Sequence, residues 1–166
     1  MGWFSLLSLV VLLFYSESNH CLSLSSSSPS PLCHPDESTA LLQFKRSFSV
    51  YNLYTPDDYC YGKSKTNSWK DGTNCCTWTG VTCEKLTGHV ISLDVACSGL
   101  EGILHPNNSL FSLSHLRTLI LSDNHFDGSP FSSQFGKFTH LTHLDLSSSL
   151  FSGHVPFEIA HLSKLI

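Results

Sequence analysis

The amino-acid sequence predicts an α/β solenoid, a coil in which every turn contributes one short strand, roofed at its front by a cross-linked cap. Three observations carry that prediction. The stretch 113–165 writes one phrase twice, LSHLRTLILSDNHFDGSP and then FTHLTHLDLSSSLFSGHVP, so that Leu144, Leu146, Phe151 and Gly153 each stand 25 residues after Leu119, Leu121, Phe126 and Gly128. A weaker copy, VISLDVACSGLEG, sets Leu93, Val95, Leu100 and Gly102 26 residues ahead of the same four. Before that copy the sequence changes character and becomes rich in cysteine and tryptophan.

A period of about 20–29 residues on the frame L-x-x-L-x-L-x-x-N-x-L is the signature of a leucine-rich repeat, one short strand and an irregular or helical return per unit. Leu119 and Leu121 point inward, while Thr118, Ile120 and Ser122 point outward, because strand side chains alternate. A single repeat cannot fold alone. Burying each large apolar side chain gains about 1.5–3 kcal/mol, whereas ordering the backbone costs roughly 1–2 kcal/mol per residue. Neighbours must cover its flat faces, and the expected product is a right-handed superhelix of stacked coils.

The leader comes first in the chain. An apolar run over 6–15, followed by small polar residues, has the length of a secretory hydrophobic region and is too short to span a membrane. Residues 1–23 are therefore read as a signal peptide and 24–32 as a Ser/Pro linker. Cys21 leaves with the leader, and Cys33, Cys60, Cys75, Cys76, Cys83 and Cys97 remain as an even set in an oxidising compartment. Six cysteines allow 15 pairings. With no C-x-x-C and with Cys75 and Cys76 adjacent, a zinc site on these thiols is set aside. The formal charge of −4 supplies no basic patch, which excludes nucleic acid as a partner.

Residues 33–89 read as the cap. PDESTALLQFKRSF predicts a helix with Asp36 as its cap, Glu37 at the positive end, and Leu41, Phe44 and Phe48 on one face. The stretch 49–67 holds Tyr51, Tyr54, Tyr59, Tyr61, Asp57, Asp58 and Cys60 without periodicity, so it predicts a loop pinned by its cysteine, its tyrosines packed on the cap. The β-rich runs 79–83 and 89–93 predict a hairpin that leads into the first solenoid strand, with Trp69 and Trp78 as the core of a lid. Residues 90–166 follow as three repeats and the start of a fourth, beginning at Leu162.

The order ALLQFK, SW, CC-x-W-x-G-V-x-C and GHVISLDV resembles the N-terminal cap of plant extracellular leucine-rich-repeat proteins, and GHVPFEIAHLSKL resembles their plant-specific repeat. With the Tyr-rich loop around Cys60 and Cys97 in the first repeat, the chain is most similar to membrane receptor-like proteins that confer resistance to fungal pathogens. The resemblance covers Cys33 through Ile166. It implies a Cys33–Cys75 and a Cys76–Cys83 disulfide, which leaves Cys60 for Cys97. Two departures stand out. The asparagine column reads Ser98, Asn124, Ser149, and Pro130 sits one place early relative to Pro156, so the second return is expected to run differently.

The outward strand positions build the concave face, where a ligand is expected: Ser92, Thr118 and His143; Asp94, Ile120 and Asp145; Ala96, Ser122 and Ser147. Asn107, in the sole N-x-S/T sequon, is the expected glycosylation site. Ten histidines are read as scattered over the surface, and His140, His143 and Asp145 lack a placed nucleophile. No catalytic, cofactor or metal residue is assigned. The resemblance implies a non-catalytic ectodomain on the cell surface that binds an extracellular protein, peptide or glycan in pathogen perception, with a receptor kinase as possible co-receptor. On this reading further repeats, an apolar span and a short tail follow Ile166, and membrane attachment lies there; without them the last apolar face predicts instability. The competing reading is a secreted inhibitor of microbial cell-wall hydrolases on the same scaffold.

Overall fold

Helix α1 spans Pro35–Arg46, and its ends explain its bounds. Asp36 and Glu37 lie in its first turn and Lys45 and Arg46 in its last, each opposing the local end of the helix dipole. The residue before it is His34, which makes no side-chain cap bond. Asp36 is therefore not the cap. Pro35 takes the first helical position, where its fixed φ suits the helix and its missing N–H costs nothing, and this moves the cap two residues earlier, from Asp36 to His34. Ala40, Leu41, Leu42 and Phe44 are buried, with Phe48 just beyond the helix. The computed structural model describes residues 32–51, 58–62 and 64–166; the expected leader, the linker apart from Leu32, and Tyr54 and Asp57 lie outside them.

The cap closes on two stacked indoles. Trp69 and Trp78 are buried with ring centroids 5.6 Å apart. Each N–H is satisfied, Trp69 Nε1 donating to the Thr79 carbonyl at 3.0 Å and Trp78 Nε1 to the Thr73 hydroxyl at 2.7 Å. Disulfides join Cys33 to Cys75, Cys76 to Cys83 and Cys60 to Cys97. The stretch expected as loop is not wholly irregular. Strand β1 (Ser49–Val50) pairs antiparallel with β4 (Leu100–Glu101), a ladder too short to leave a periodic signal.

Strand β2 (Val81–Cys83) runs antiparallel to β3 (Val90–Asp94), with Val81 opposite Leu93 and Thr82 opposite Ser92. Beyond it β5 (Thr118–Ile120) and β6 (His143–Asp145) add in parallel, giving the order β2-β3-β5-β6. Leu93 faces Leu119, and Leu119 faces Leu144, so residues one period apart occupy one place in successive coils. The sheet lines one long side of the solenoid.

The returns are 3₁₀ turns at Ser109–Ser112, Ser133–Lys137 and Phe157–His161. Asn108 and Ser132 cap the first two by accepting the N–H groups of Leu110 and Gln134. Despite its displacement, Pro130 forms a parallel bridge to Ser152, and Phe131 N–H donates to the Ser152 carbonyl at 3.0 Å, so adjoining returns stay paired. Rings fill the space behind the sheet. Phe48 meets Phe126 at 5.1 Å, Phe126 meets Phe151 at 5.4 Å, and Phe111 meets Phe135 at 5.3 Å.

Candidate binding face

Stacking brings the outward strand positions into columns. Ser92 stands opposite Thr118 and Thr118 opposite His143; Asp94 stands opposite Ile120 and Ile120 opposite Asp145. Beyond the strands Cys97 N–H donates to the Ser122 carbonyl and Asp123 N–H to the Ser147 carbonyl, which continues the ladder through the third column. His143 and Ser147 are exposed, while Ser92, Asp94, Thr118, Ile120 and Asp145 are half-buried.

Ser122 departs from the expected outward role. It is 5% exposed, and its hydroxyl bonds the Asp145 carboxylate, so it supports the face from below instead of offering a contact. Asp145 also accepts the Ser147 hydroxyl at 2.7 Å and the Ser147 N–H at 2.9 Å. The Ser147 bonds, with the Ser122 bond behind them, hold its carboxyl below the ordinary value against a small opposing effect of burial. The acid on the last strand, β6, is thereby held as an anion.

Asp94 is held differently. Its carboxylate pairs with Lys65 Nζ and accepts the N–H of Ala96 at 3.0 Å. Lys65 reaches it from a 3₁₀ turn at Lys65–Ser68 whose first N–H donates to Ser98 Oγ at 3.3 Å. Nothing in the sequence pattern marks this lysine. It lies in an aperiodic stretch 29 residues from its partner, and no repeat arithmetic points to it. The face thus carries a neutralised pair beside β2 and a serine-bonded carboxylate two residues from exposed His143. His143 Nδ1 lies 2.9 Å from the Thr142 hydroxyl, and His140 Nδ1 lies 3.3 Å from Lys164 Nζ.

The tyrosine-rich loop also differs from its expected packing. Cys60 is buried on Cys97, and the residues that flank it turn outward, leaving Tyr59 and Tyr61 exposed. Tyr51 stays half-buried against the His125 ring, at 5.5 Å. Tyr51, Tyr59, Cys60 and His125, together with Asp58, Asp123 and Leu150, line a cavity of about 420 Å³ beside the concave sheet. Asn107 is exposed, next to the capping Asn108, while the hydroxyl of Ser109 donates to the Ala40 carbonyl at 2.8 Å.

Among the described residues no helix is long and apolar enough to cross a membrane. Residues 34–84 match the leucine rich repeat N-terminal domain, and 115–138 and 140–162 match the Leucine Rich Repeat family. The chain is 39% identical to receptor-like protein 6 of Arabidopsis thaliana over 162 residues, which is 94% of this chain and 16% of that protein. It is 48% identical to receptor-like protein Cf-9 of Solanum pimpinellifolium over 153 residues, 87% of this chain and 17% of that one. It therefore spans about one sixth of the length of these relatives. The solved structure of the Arabidopsis receptor kinase HAESA with the peptide hormone IDA and the co-receptor SERK1 is similar at a TM-score of 0.61 and 29% identity, covering 80% of this chain and 20% of that one.

Proposed function

Because this chain belongs to the plant leucine-rich-repeat receptor-like proteins, we propose that it is the membrane-distal part of a cell-surface ectodomain that binds an extracellular ligand without chemistry of its own. The observation that carries this is the in-register concave face, where residues from three coils converge although they stand 25 and 26 apart in the chain. An ordered array of hydroxyls, a fixed carboxylate and an exposed imidazole suits hydrogen bonding to a peptide, protein or glycan. HAESA is described as binding a peptide hormone together with a co-receptor, and that description supports a peptide-class ligand here with a receptor kinase recruited beside it. The biological setting we infer is pathogen perception at the extracellular side of the plasma membrane.

Non-catalytic action is part of the proposal. It draws support from the hydroxyl beside His143: Thr142 Oγ1 donates to the Arg117 carbonyl at 2.9 Å, so its proton is directed away from the imidazole. The domain bounds at 1–23, 24–32, 33–89 and 90–166, and a glycan on Asn107, belong to the same reading. The test is a His143→Ala, Asp145→Ala double variant placed in the intact receptor, with ligand binding measured on the surface of plant cells. A loss of tenfold or more is expected; unchanged binding removes the face. Inhibition of a pectin-degrading enzyme by the secreted protein would instead favour an inhibitor.

A further inference from the structure

The cap and the first two coils meet at a cluster outside the concave columns. His89 leads into β3, and His115 stands 26 residues on, at the equivalent place before β5. Coil stacking therefore lays their rings face to face, with centroids 3.7 Å apart and planes 15° apart. His34 stacks on the other side of His89 at 3.8 Å. These histidines are stacked together, not scattered over the surface as the sequence predicts. Against the His89–His115 pair sits the buried carboxylate of Glu37, from the first turn of α1. Its Oε2 accepts the N–H of Val90 at 2.8 Å. Its Oε1 faces Nδ1 of His89 at 3.3 Å and Nδ1 of His115 at 3.5 Å.

These spacings discriminate between two uses of the cluster. A charge-assisted hydrogen bond to a carboxylate closes to about 2.7–2.9 Å, so an oxygen this far from two nitrogens is well bonded to neither. A tetrahedral zinc ion lies about 2.0–2.1 Å from imidazole nitrogen and about 2.0–2.2 Å from carboxylate oxygen, which sets its ligands roughly 3.4 Å from one another. The two observed separations bracket that edge, and all three ligand atoms lie within 4.8 Å of one another. The Val90 bond to the second carboxylate oxygen is the kind of outer contact that orients a metal ligand. Beside the rings a cleft of about 350 Å³, lined also by Glu84, Thr87, Arg117 and His140, gives an ion a route in.

We propose that Glu37, His89 and His115 form a binding site for a zinc-class divalent cation that ties α1 to the first two coils. Both Nδ1 lone pairs must converge on the ion, so the two rings turn out of their parallel stack, a side-chain movement open to residues 28% and 44% exposed. His34, whose Nε2 lies 3.0 Å from the Thr87 carbonyl, remains outside the coordination shell. A ligand that binds the folded chain alone raises its stability by mass action. Metal binding and thermal resistance therefore rise together.

The test is calorimetric titration of Zn²⁺ into the full oxidised chain after chelator treatment, with thermal melts in parallel. One equivalent should bind, with an upward shift in melting temperature. His115→Asn should weaken binding at least tenfold, as should Glu37→Gln, which keeps an acceptor for Val90. His143→Asn and His161→Asn should leave it unchanged. Should Glu37→Gln fail to fold, the half-exposed His115 decides alone. Absence of saturable binding, or binding that survives His115→Asn, overturns the proposal by leaving the ion to other histidines of the ten.

Discussion

The backbone N–H of Leu100 donates to the side-chain Oδ1 of Asn124 across 3.0 Å, from one coil to the next. The same amide donates through Nδ2 to the carbonyls of Val95 and Leu121 at 2.9 Å and of Ser122 at 3.0 Å, all in a buried setting. One side chain thus satisfies the turns of two coils. Asn124→Ala leaves several buried polar groups without partners and is expected to destabilise the fold by about 3 kcal/mol, given roughly 1–3 kcal/mol for each such group and incomplete additivity. Urea unfolding checks this, and a loss below about 1 kcal/mol would mean that water replaces the amide.

The Cys60–Cys97 bridge closes a separation of 37 residues and pins the tyrosine-bearing loop to the first coil. Replacing both cysteines with serine should cost about 2–4 kcal/mol, chiefly by freeing the unfolded chain. Hydrogen exchange should rise at 58–62 and around β4, with the β5–β6 ladder unaffected. Equal loss of protection along all coils would contradict a local role.

Gly80 takes φ +81° where the chain turns from Trp78 into β2, and a Cβ there would meet the Asp94 carbonyl. That approach exists because Asp94 N–H donates to the Gly80 carbonyl at 2.7 Å. Gly80→Ala combines a disfavoured backbone with a collision against backbone, and a loss on the order of 3 kcal/mol is expected in thermal melts. Gly72, also at positive φ but with open space around it, should tolerate alanine better.

The Ser147 and Ser122 bonds lower the Asp145 pKa in the folded chain. Its contribution to stability is therefore complete above the unfolded value near 3.9 and is lost as pH falls through the lower folded value. Asp145→Asn should flatten the acid limb of the stability curve below about pH 4, with a small effect because the group is near solvent. Identical acid limbs for both proteins would remove Asp145 from the pH response.

What was legible in the sequence was whatever repeats. Leu93, Leu119 and Leu144 recur at nearly constant spacing because each fills the same slot, so the strand register and the concave columns followed from counting. The cap hairpin was legible from its β-rich runs. Contacts made once left no such trace: Lys65 on Asp94, β1 on β4, and Glu37 beneath His89 join segments with no shared period. The neighbourhood of His89 and His115 lay within reach of the same counting, since both stand just ahead of inward-facing strands. The helix begins ahead of Asp36 because the backbone constraint of Pro35 outweighs the capping preference of an aspartate side chain.

The contact between Phe48 and Phe126 reaches from the segment after α1 past the first coil to the second. A purely nearest-neighbour array would let the front roof be exchanged between chains as a module, provided the coil beneath it matched. Here the roof also reads the coil after that. A chimera that imports residues 33–89 must therefore bring a compatible aromatic at position 126, or accept a hollow two storeys down.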